Sequence, residues 1–326
     1  MKAMILAAGL GTRMAPLTQR VPKPALPVLG EPMILRMIRQ LVAQGVEHVV
    51  VNVHAHPDVM AAAVASAPRR VEISVEPELL GSLGGIRAAR RHLEGSEPFL
   101  VLNADMVIDI DLGQLARRHR ESGALATLLL REDPRKHAFG TIGYEEDGAV
   151  RRITDQISLG SEKGSGLFTG IQLLSPGVFE HLPARPVSHL MQDLYVPLLR
   201  RGARVMAAHM DPSDAWWPVG TPGELLDANL LALDAALARG GPRTSAVLAD
   251  PSARIEGDVV GPAWIGAAAR VAAGARVGPG VVVDAGAEVP DGLAASEMLF
   301  LCGARPDARG PLRRAIAYDR EVWRDA

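Results

Sequence analysis

Residues 2–14, KAMILAAGLGTRM, run from a continuous apolar segment straight into a glycine-bearing turn. Ala3–Ala8 shows no alternation of polar and apolar residues and is too short for a buried helix, so it reads as a strand covered on both faces. The turn fails the dinucleotide fingerprint, because Met14 stands where the third glycine belongs, and it lacks the Gly-Lys-Ser/Thr ending of the P-loop. What remains is a loop whose backbone N–H groups can face an anion, with the Arg13 guanidinium as a planar fork for phosphate oxygens. Apolar runs recur at Val46–Val53, Val71–Val75, Phe99–Asn103 and Ala124–Leu130, separated by segments of helical spacing. In Pro32–Ala43, for example, Met33, Ile34, Met37, Ile38, Leu41 and Val42 repeat at steps of three and four. Buried strands alternating with amphipathic helices predict a mostly parallel, doubly wound, Rossmann-like α/β sheet with ligands at the C-terminal strand ends.

The chain has 326 residues, 35 basic and 37 acidic, for a formal charge of −2. That balance provides no global field for nucleic acid or for an anionic membrane, so any phosphate must be held locally. The single cysteine, Cys302, rules out an intramolecular disulfide and suits a reducing compartment. No apolar stretch has the length of a signal peptide core or a bilayer span, and a cytoplasmic location is expected.

Around Arg239-Gly240-Gly241-Pro242 the composition changes, which divides the chain into domains 1–240 and 245–326. Beyond the break Val259, Ile265, Val271, Val277, Val283 and Val289 fall every six residues with Gly, Ala and Pro between them. A period of six matches neither helix nor ordinary strand and predicts a parallel β-helix. Its open coils need a cap or a partner, so Leu299–Ile316 is the expected cap and a homo-oligomer through this domain the expected assembly. Some such solenoids are acyltransferases with a histidine base, but all nine histidines lie at or before His209, which favours the role of a platform.

Lys23 is one of only four lysines and sits between two prolines in Val21-Pro22-Lys23-Pro24. The prolines hold its backbone extended, so an ammonium is presented with little entropy left to lose. Together, LAAGLGTRMAPLT and PKPALPV resemble the sugar-phosphate nucleotidylyltransferases, in particular the mannose-1-phosphate guanylyltransferase group with its C-terminal hexapeptide, left-handed parallel β-helix. Leu79-Leu80-Gly81-Ser82 is similar to the family's Leu-Gly-Thr nucleotide turn, and Leu102-Asn103-Ala104-Asp105 to its metal-binding strand end. Phe139-Gly140-Thr141 and Phe168-Thr169-Gly170-Ile171 stand where the family binds the sugar.

The resemblance implies that a sugar 1-phosphate attacks the α-phosphorus of an NTP with Mg²⁺ as cofactor, giving an NDP-sugar and pyrophosphate. It assigns catalysis to Arg13, Lys23 and Asp105, with Asp105 on the metal. Nucleotide contacts fall to Leu6, Ala7, Ala8, Gly9, Gly11, Thr12, Arg13, Glu76, Gly81 and Ser82, and sugar-phosphate contacts to Lys23, Asn103, Gly140, Thr169 and Gly170. A carboxylate at Glu76 can accept two hydrogen bonds from guanine and only one from uracil, which leans toward GTP and leaves UTP open. The family's second metal-binding aspartate is replaced by Pro218, with Asp211 and Asp214 upstream. That departure sustains an alternative, a catalytically weak paralogue that binds nucleotide or NDP-sugar and regulates a partner.

Overall fold

The computed structural model describes residues 1–95, 97–135, 140–238 and 246–324. They form two compact units, Met1–Leu10 with Ile34–Trp216 and Gly11–Met33 with Trp217–Ala326. The sequence boundary near residue 240 lies outside the described residues. The units themselves divide the chain along another line, since Gly11–Met33 and a helix before residue 239 group with the C-terminal coils.

The first unit is built on β1 (Lys2–Leu6), β2 (His48–Val53), β3 (Val71–Val75), β4 (Phe99–Asn103), β5 (Ala126–Arg131), β6 (Gly164–Leu174) and β7 (Val205–His209). Their order across the sheet is 3-2-1-4-6-5-7. All neighbours run parallel except β6, which is antiparallel to both β4 and β5. Alternate residues of the central strands feed opposite cores. Ala3, Ile5, Val49, Val51, Leu100 and Leu102 pack with α1 (Met33–Ala43) on one face, while Met4, Val50, Phe99 and Val101 pack with Leu83 and Ile86 of α2 (Gly81–Ala88) on the other. Both faces are therefore covered, as continuous apolar strands require. The stripe predicted for α1 is buried at Met33, Ile34, Met37, Ile38 and Leu41. Past its end, Gly45 adopts φ +89° and the Val46 amide bonds back to the Leu41 carbonyl, stopping the helix.

In the second unit the coils stack with an 18-residue step, three hexads per turn: Ala263 pairs with Val281, Arg270 with Glu288, and Arg276 with Ala294, all parallel. Ile265, Val271, Val277, Val283 and Val289 all point into the coil core. The expected cap proves to be coil: Leu293–Phe300 pairs parallel with Gly310–Tyr318. Glu321–Arg324 then adds antiparallel to that last strand and covers its edge. The difference is physical, since Met298 and Phe300 pair with Ala315 and Ala317 and all four join the buried coil core. At the other end Val247, Leu248, Ile255 and Val260 are exposed. Helix α3 (Pro222–Ala238) packs along the coil strands, and its Asp227 bonds the Arg314 guanidinium at 2.9 Å. Among the described residues no helix is long and apolar enough to cross a membrane.

Candidate functional site

The sheet register builds one end of the candidate site. Leu6 pairs with Asn52 on one side and Asn103 on the other, so the loop after β1 and the loop after β4 leave the same edge of the sheet. Chain order reverses between these two strands, the switch point at which open α/β sheets place ligands. Ala7 and Ala8 are buried, Gly9 and Leu10 are exposed, and the Ala104 amide bonds the Leu6 carbonyl at 3.1 Å. Asp105 follows directly, half-buried.

A polar residue that the sequence reading passed over fixes the first turn. Asn52, buried at the end of β2, accepts from the Ala7 amide at 2.8 Å and donates to Glu76 Oε1 at 2.7 Å. Its signal was present as the single amide in the apolar strand His48–Val53. Glu76, assigned to the base, is corrected by this contact: it is 1 % exposed, and its second oxygen accepts from the Leu80 amide. A carboxylate whose oxygens already serve the fold would have to leave the buried Asn52 amide and the part-buried Leu80 amide to reach a nucleobase. His54 is likewise structural, its Nδ1 lying 2.9 Å from the Glu76 carbonyl.

Gly81 and Ser82 open α2. Gly81 adopts φ +73°, and a Cβ there would lie 2.5 Å from the Ser188 carbonyl oxygen, so only glycine allows this approach. The same carbonyl accepts from the amides of Leu83 and Gly84, and the Ser82 hydroxyl accepts from the Leu190 amide at 3.0 Å. The serine side chain is thus tied to the segment after Ser188.

Asn103 and Gly170, expected at the sugar, come together. Gly170 has φ +81° at the irregularity in β6, and a Cβ there would sit 2.6 Å from Asn103 Nδ2. Thr169 points elsewhere: it is buried, its hydroxyl donates to the Leu129 carbonyl at 2.8 Å, and its own carbonyl accepts from Trp216 Nε1. At the irregularity in β6 it is Gly170 that meets Asn103, while the Thr169 hydroxyl serves the core. Gly140 has φ +79° and abuts Thr154, whereas Phe139 lies outside the described residues. A network unseen in the sequence flanks Thr141, where Arg152 donates to its hydroxyl and makes a two-pronged bond to Glu162 at 2.8 and 3.0 Å.

Asp211 and Asp214, the possible substitutes for the missing metal ligand, are engaged in their own turn. The Asp211 carboxylate accepts from Ser213 side chain and backbone, which holds its pKa low; burial raises that of Asp214, with Asp211, Asp109 and Asp111 adding to the rise. Asp214 borders a hollow lined by Asp109, Asp111, Gln40 and Gln44. Among the described residues no three His, Cys, Asp or Glu side chains gather as a metal cage.

The second unit holds the basic groups. Gly11, at φ +64°, packs where a Cβ would lie 3.2 Å from Lys23 Cβ, and its carbonyl accepts from the Thr18 hydroxyl at 3.0 Å. The loop that carries Arg13 is thereby folded against the Pro22-Lys23-Pro24 segment. Arg13 is exposed on a short 3₁₀ turn, Thr12–Met14. Gly220 leaves room for it, since a Cβ there would come within 3.0 Å of an Arg13 Nη. Glu224, another residue without a sequence assignment, accepts from the Gly220 amide at 2.7 Å and starts α3 with Thr221 in a capping exchange.

Residues 2–235 match the nucleotidyl transferase family. The mannose-1-phosphate guanyltransferase beta-B of Xenopus laevis is 30 % identical over 78 % of this chain and 73 % of its own length. The mannose-1-phosphate guanylyltransferase 1 of Arabidopsis thaliana is 32 % identical over 80 % of this chain and 75 % of its own. In fold the chain is similar to HddC from Yersinia pseudotuberculosis, solved with GMP-PN, at a TM-score of 0.58 and 23 % identity over 70 % of this chain and 97 % of that one. A putative glucose-1-phosphate thymidylyltransferase from Bacillus anthracis gives 0.60 and 23 %, over 71 % and 95 %. Strand order, the turn after β1 and similarity over most of its length together make this chain a member of the nucleotidyl transferase family.

Proposed function

We propose that the protein transfers a nucleoside monophosphate from an NTP to a sugar 1-phosphate, releasing pyrophosphate, with GTP and mannose 1-phosphate as the pair. The observation that carries the reading is the pairing of Leu6 with Asn103, which sends the glycine-bearing turn and the Asn103-Ala104-Asp105 segment off one edge of the sheet. The choice of GTP and mannose rests on what the guanylyltransferase relatives are named for, now that Glu76 is withdrawn as a base contact.

A phosphate monoester is already an anionic nucleophile, so the protein needs no strong base; its work is positioning and neutralisation. Arg13 and the loop amides hold the departing phosphates, and the Lys23 ammonium screens the repulsion between sugar phosphate and α-phosphate. Asp105 is the carboxylate for a divalent ion, here Mg²⁺. A single carboxylate fits that ion, which commonly keeps several waters and takes the rest of its ligands from substrate phosphates. When bound, it withdraws charge from the phosphate oxygens. Asn103 and Gly170 present polar groups to the sugar.

A panel of NTPs against hexose 1-phosphates, with and without Mg²⁺, tests this. Metal-dependent pyrophosphate release is expected, strongest for GTP with mannose 1-phosphate. Pro218, where the family places an aspartate, favours one second reading, a nucleotide or NDP-sugar sensor. NDP-sugar binding with no turnover from any pair would establish that reading in place of the first. Assembly into a homo-oligomer through the first coil, and a cytoplasmic location, belong to the same proposal.

A further inference from the structure

Asn229 is the one polar residue on the buried side of α3, whose other buried residues include Leu225, Leu226, Ala228, Ala232 and Leu233. Its side chain is fully buried. A carboxamide taken out of water costs free energy unless its donors and acceptor find partners, and asparagine is a weak helix former besides. Here the partners are present. The Oδ1 atom accepts from the Leu29 amide at 2.9 Å, while Nδ2 donates to the Pro27 carbonyl at 3.1 Å and to the Leu225 carbonyl of its own helix at 3.0 Å. Two of these three bonds leave α3 for one short segment, Pro27–Leu29.

That segment belongs to a hairpin in which Pro27–Val28 pairs with Glu31–Pro32. Leu29 and Gly30 form its tip with φ +49° and +73°, a two-residue turn in which both central residues take the left-handed conformation. Glycine adopts that conformation freely and leucine only at a cost, so a turn carrying leucine needs support from outside the hairpin. Asn229 gives it at the Leu29 amide and at the Pro27 carbonyl. The Trp264 ring closes on the other tip residue, so that a Cβ on Gly30 would lie 2.5 Å from it.

The hairpin leads back to the phosphate lysine in two steps. At its base the Met33 amide bonds the Leu26 carbonyl at 3.0 Å, and the Leu26 amide bonds the Lys23 carbonyl at 3.1 Å. Between them Ala25 and Leu26 are buried, and the Ala25 amide bonds the Pro22 carbonyl at 2.8 Å. With Pro22 and Pro24 fixing φ on either side, the Lys23 backbone has little freedom except to follow the base of the hairpin.

We propose that Asn229 is a positioning residue: from α3 it holds the tip of the Pro27–Pro32 hairpin, and through that hairpin it sets the placement of Lys23. The proposal rests on the phosphate role assigned to Lys23 above. It accounts for an amide at a buried helix position that has Leu225 and Leu233 one turn to either side.

The test compares Asn229→Leu, which keeps a branched side chain of similar size and removes its hydrogen bonds, with Val289→Ala, a cavity variant in the coil core on a different sheet of the stack from Trp264. Two readouts are taken on the full chain, amide hydrogen exchange over residues 23–33 and steady-state kinetics with GTP, mannose 1-phosphate and Mg²⁺. Asn229→Leu is expected to speed exchange at least tenfold at Leu29 and also at Leu26, and to lower kcat at least tenfold with KM for GTP within threefold. Val289→Ala is expected to lower the melting temperature and leave both readouts within twofold. Unchanged exchange at Leu26 or unchanged kcat in Asn229→Leu, or equal effects of the two variants, would overturn the proposal. Should Asn229→Leu not fold, Gly30→Ala reads the same connection from the exposed tip, which its Cβ would push off Trp264. Faster exchange at Leu26 with a lower kcat is expected there, and a wild-type value of either overturns the proposal. If the wild-type protein turns over no substrate pair, the functional reading fails separately, and exchange at Leu26 still decides whether Asn229 holds the Lys23 turn.

Discussion

Burial shifts Asp284 and His119 in ways that change stability with opposite sign between pH 4 and 7. His119 is buried between Thr127 and Ser175, which its ring nitrogens meet at 2.8 and 3.0 Å, and burial lowers its pKa from 6.5 to about 4, with Arg120 adding to the effect. A base with a depressed folded pKa contributes stability that is complete above 6.5 and is lost as pH falls toward 4. Asp284 is an acid with a raised folded pKa, so its contribution is complete below 3.8 and is lost as pH rises through about 7. At about 1.4 kcal/mol per pH unit each effect is on the order of a few kcal/mol, and they nearly offset between pH 4 and 7. Urea midpoints of the wild-type protein are therefore expected to change little between pH 7 and 5 on account of these two groups. Asp284→Asn should uncover the histidine and lose stability over that range, and a flat profile in that variant would contradict the assignment. Neither environment could be read from sequence, because each depends on neighbours brought in by folding. Thr127 and Ser175 are 8 and 56 positions from His119.

Among the elements, strands and coils were legible and their polar fastenings were not. Ala3–Ala8 and Phe99–Asn103 announce themselves by unbroken apolarity, and Val271, Val277 and Val283 by their spacing of six, since burial on both faces or inside a coil leaves no other pattern. The antiparallel direction of β6 leaves no such mark, nor does the inward turn of Glu76, whose partner Asn52 lies 24 positions away. The Pro27–Pro32 hairpin was invisible because Leu-Gly is a poor predictor of its turn type and the residue that stabilises it, Asn229, lies 200 positions away. Helix α2 allows a direct check of the buried network. A Cβ on Gly85 would sit 2.6 Å from both Asn52 Nδ2 and Glu76 Oε1. Gly85→Ala is therefore expected to destabilise the protein by about 2–4 kcal/mol, from overpacking plus a broken buried hydrogen bond, read as a lower urea midpoint. A change below about 0.5 kcal/mol would mean that the network yields without loss.

For the whole molecule, the two ends of the coil stack are treated differently. The last strand, Gly310–Tyr318, is covered by the antiparallel Glu321–Arg324, whereas the first, Val247–Ala249, lies at the end of its sheet among the described residues, with Val247 and Leu248 exposed. An open strand edge with exposed apolar side chains invites pairing with another chain. Sedimentation is expected to show a wild-type oligomer that Leu248→Glu dissociates; an unchanged species would move the contact elsewhere. By unit, the turn that follows β1, as far as Leu10, and Asp105 belong to the sheet, and Arg13 and Lys23 to the unit that contains the coils. The most direct test of the account is kcat/KM for GTP and mannose 1-phosphate with Mg²⁺ in wild-type protein and Lys23→Ala, alongside their melting temperatures. The account predicts a loss of about 10²–10³-fold or more, as for removal of one group that stabilises transition-state charge, with folding retained. Activity within twofold of wild type in a folded Lys23→Ala protein would contradict it.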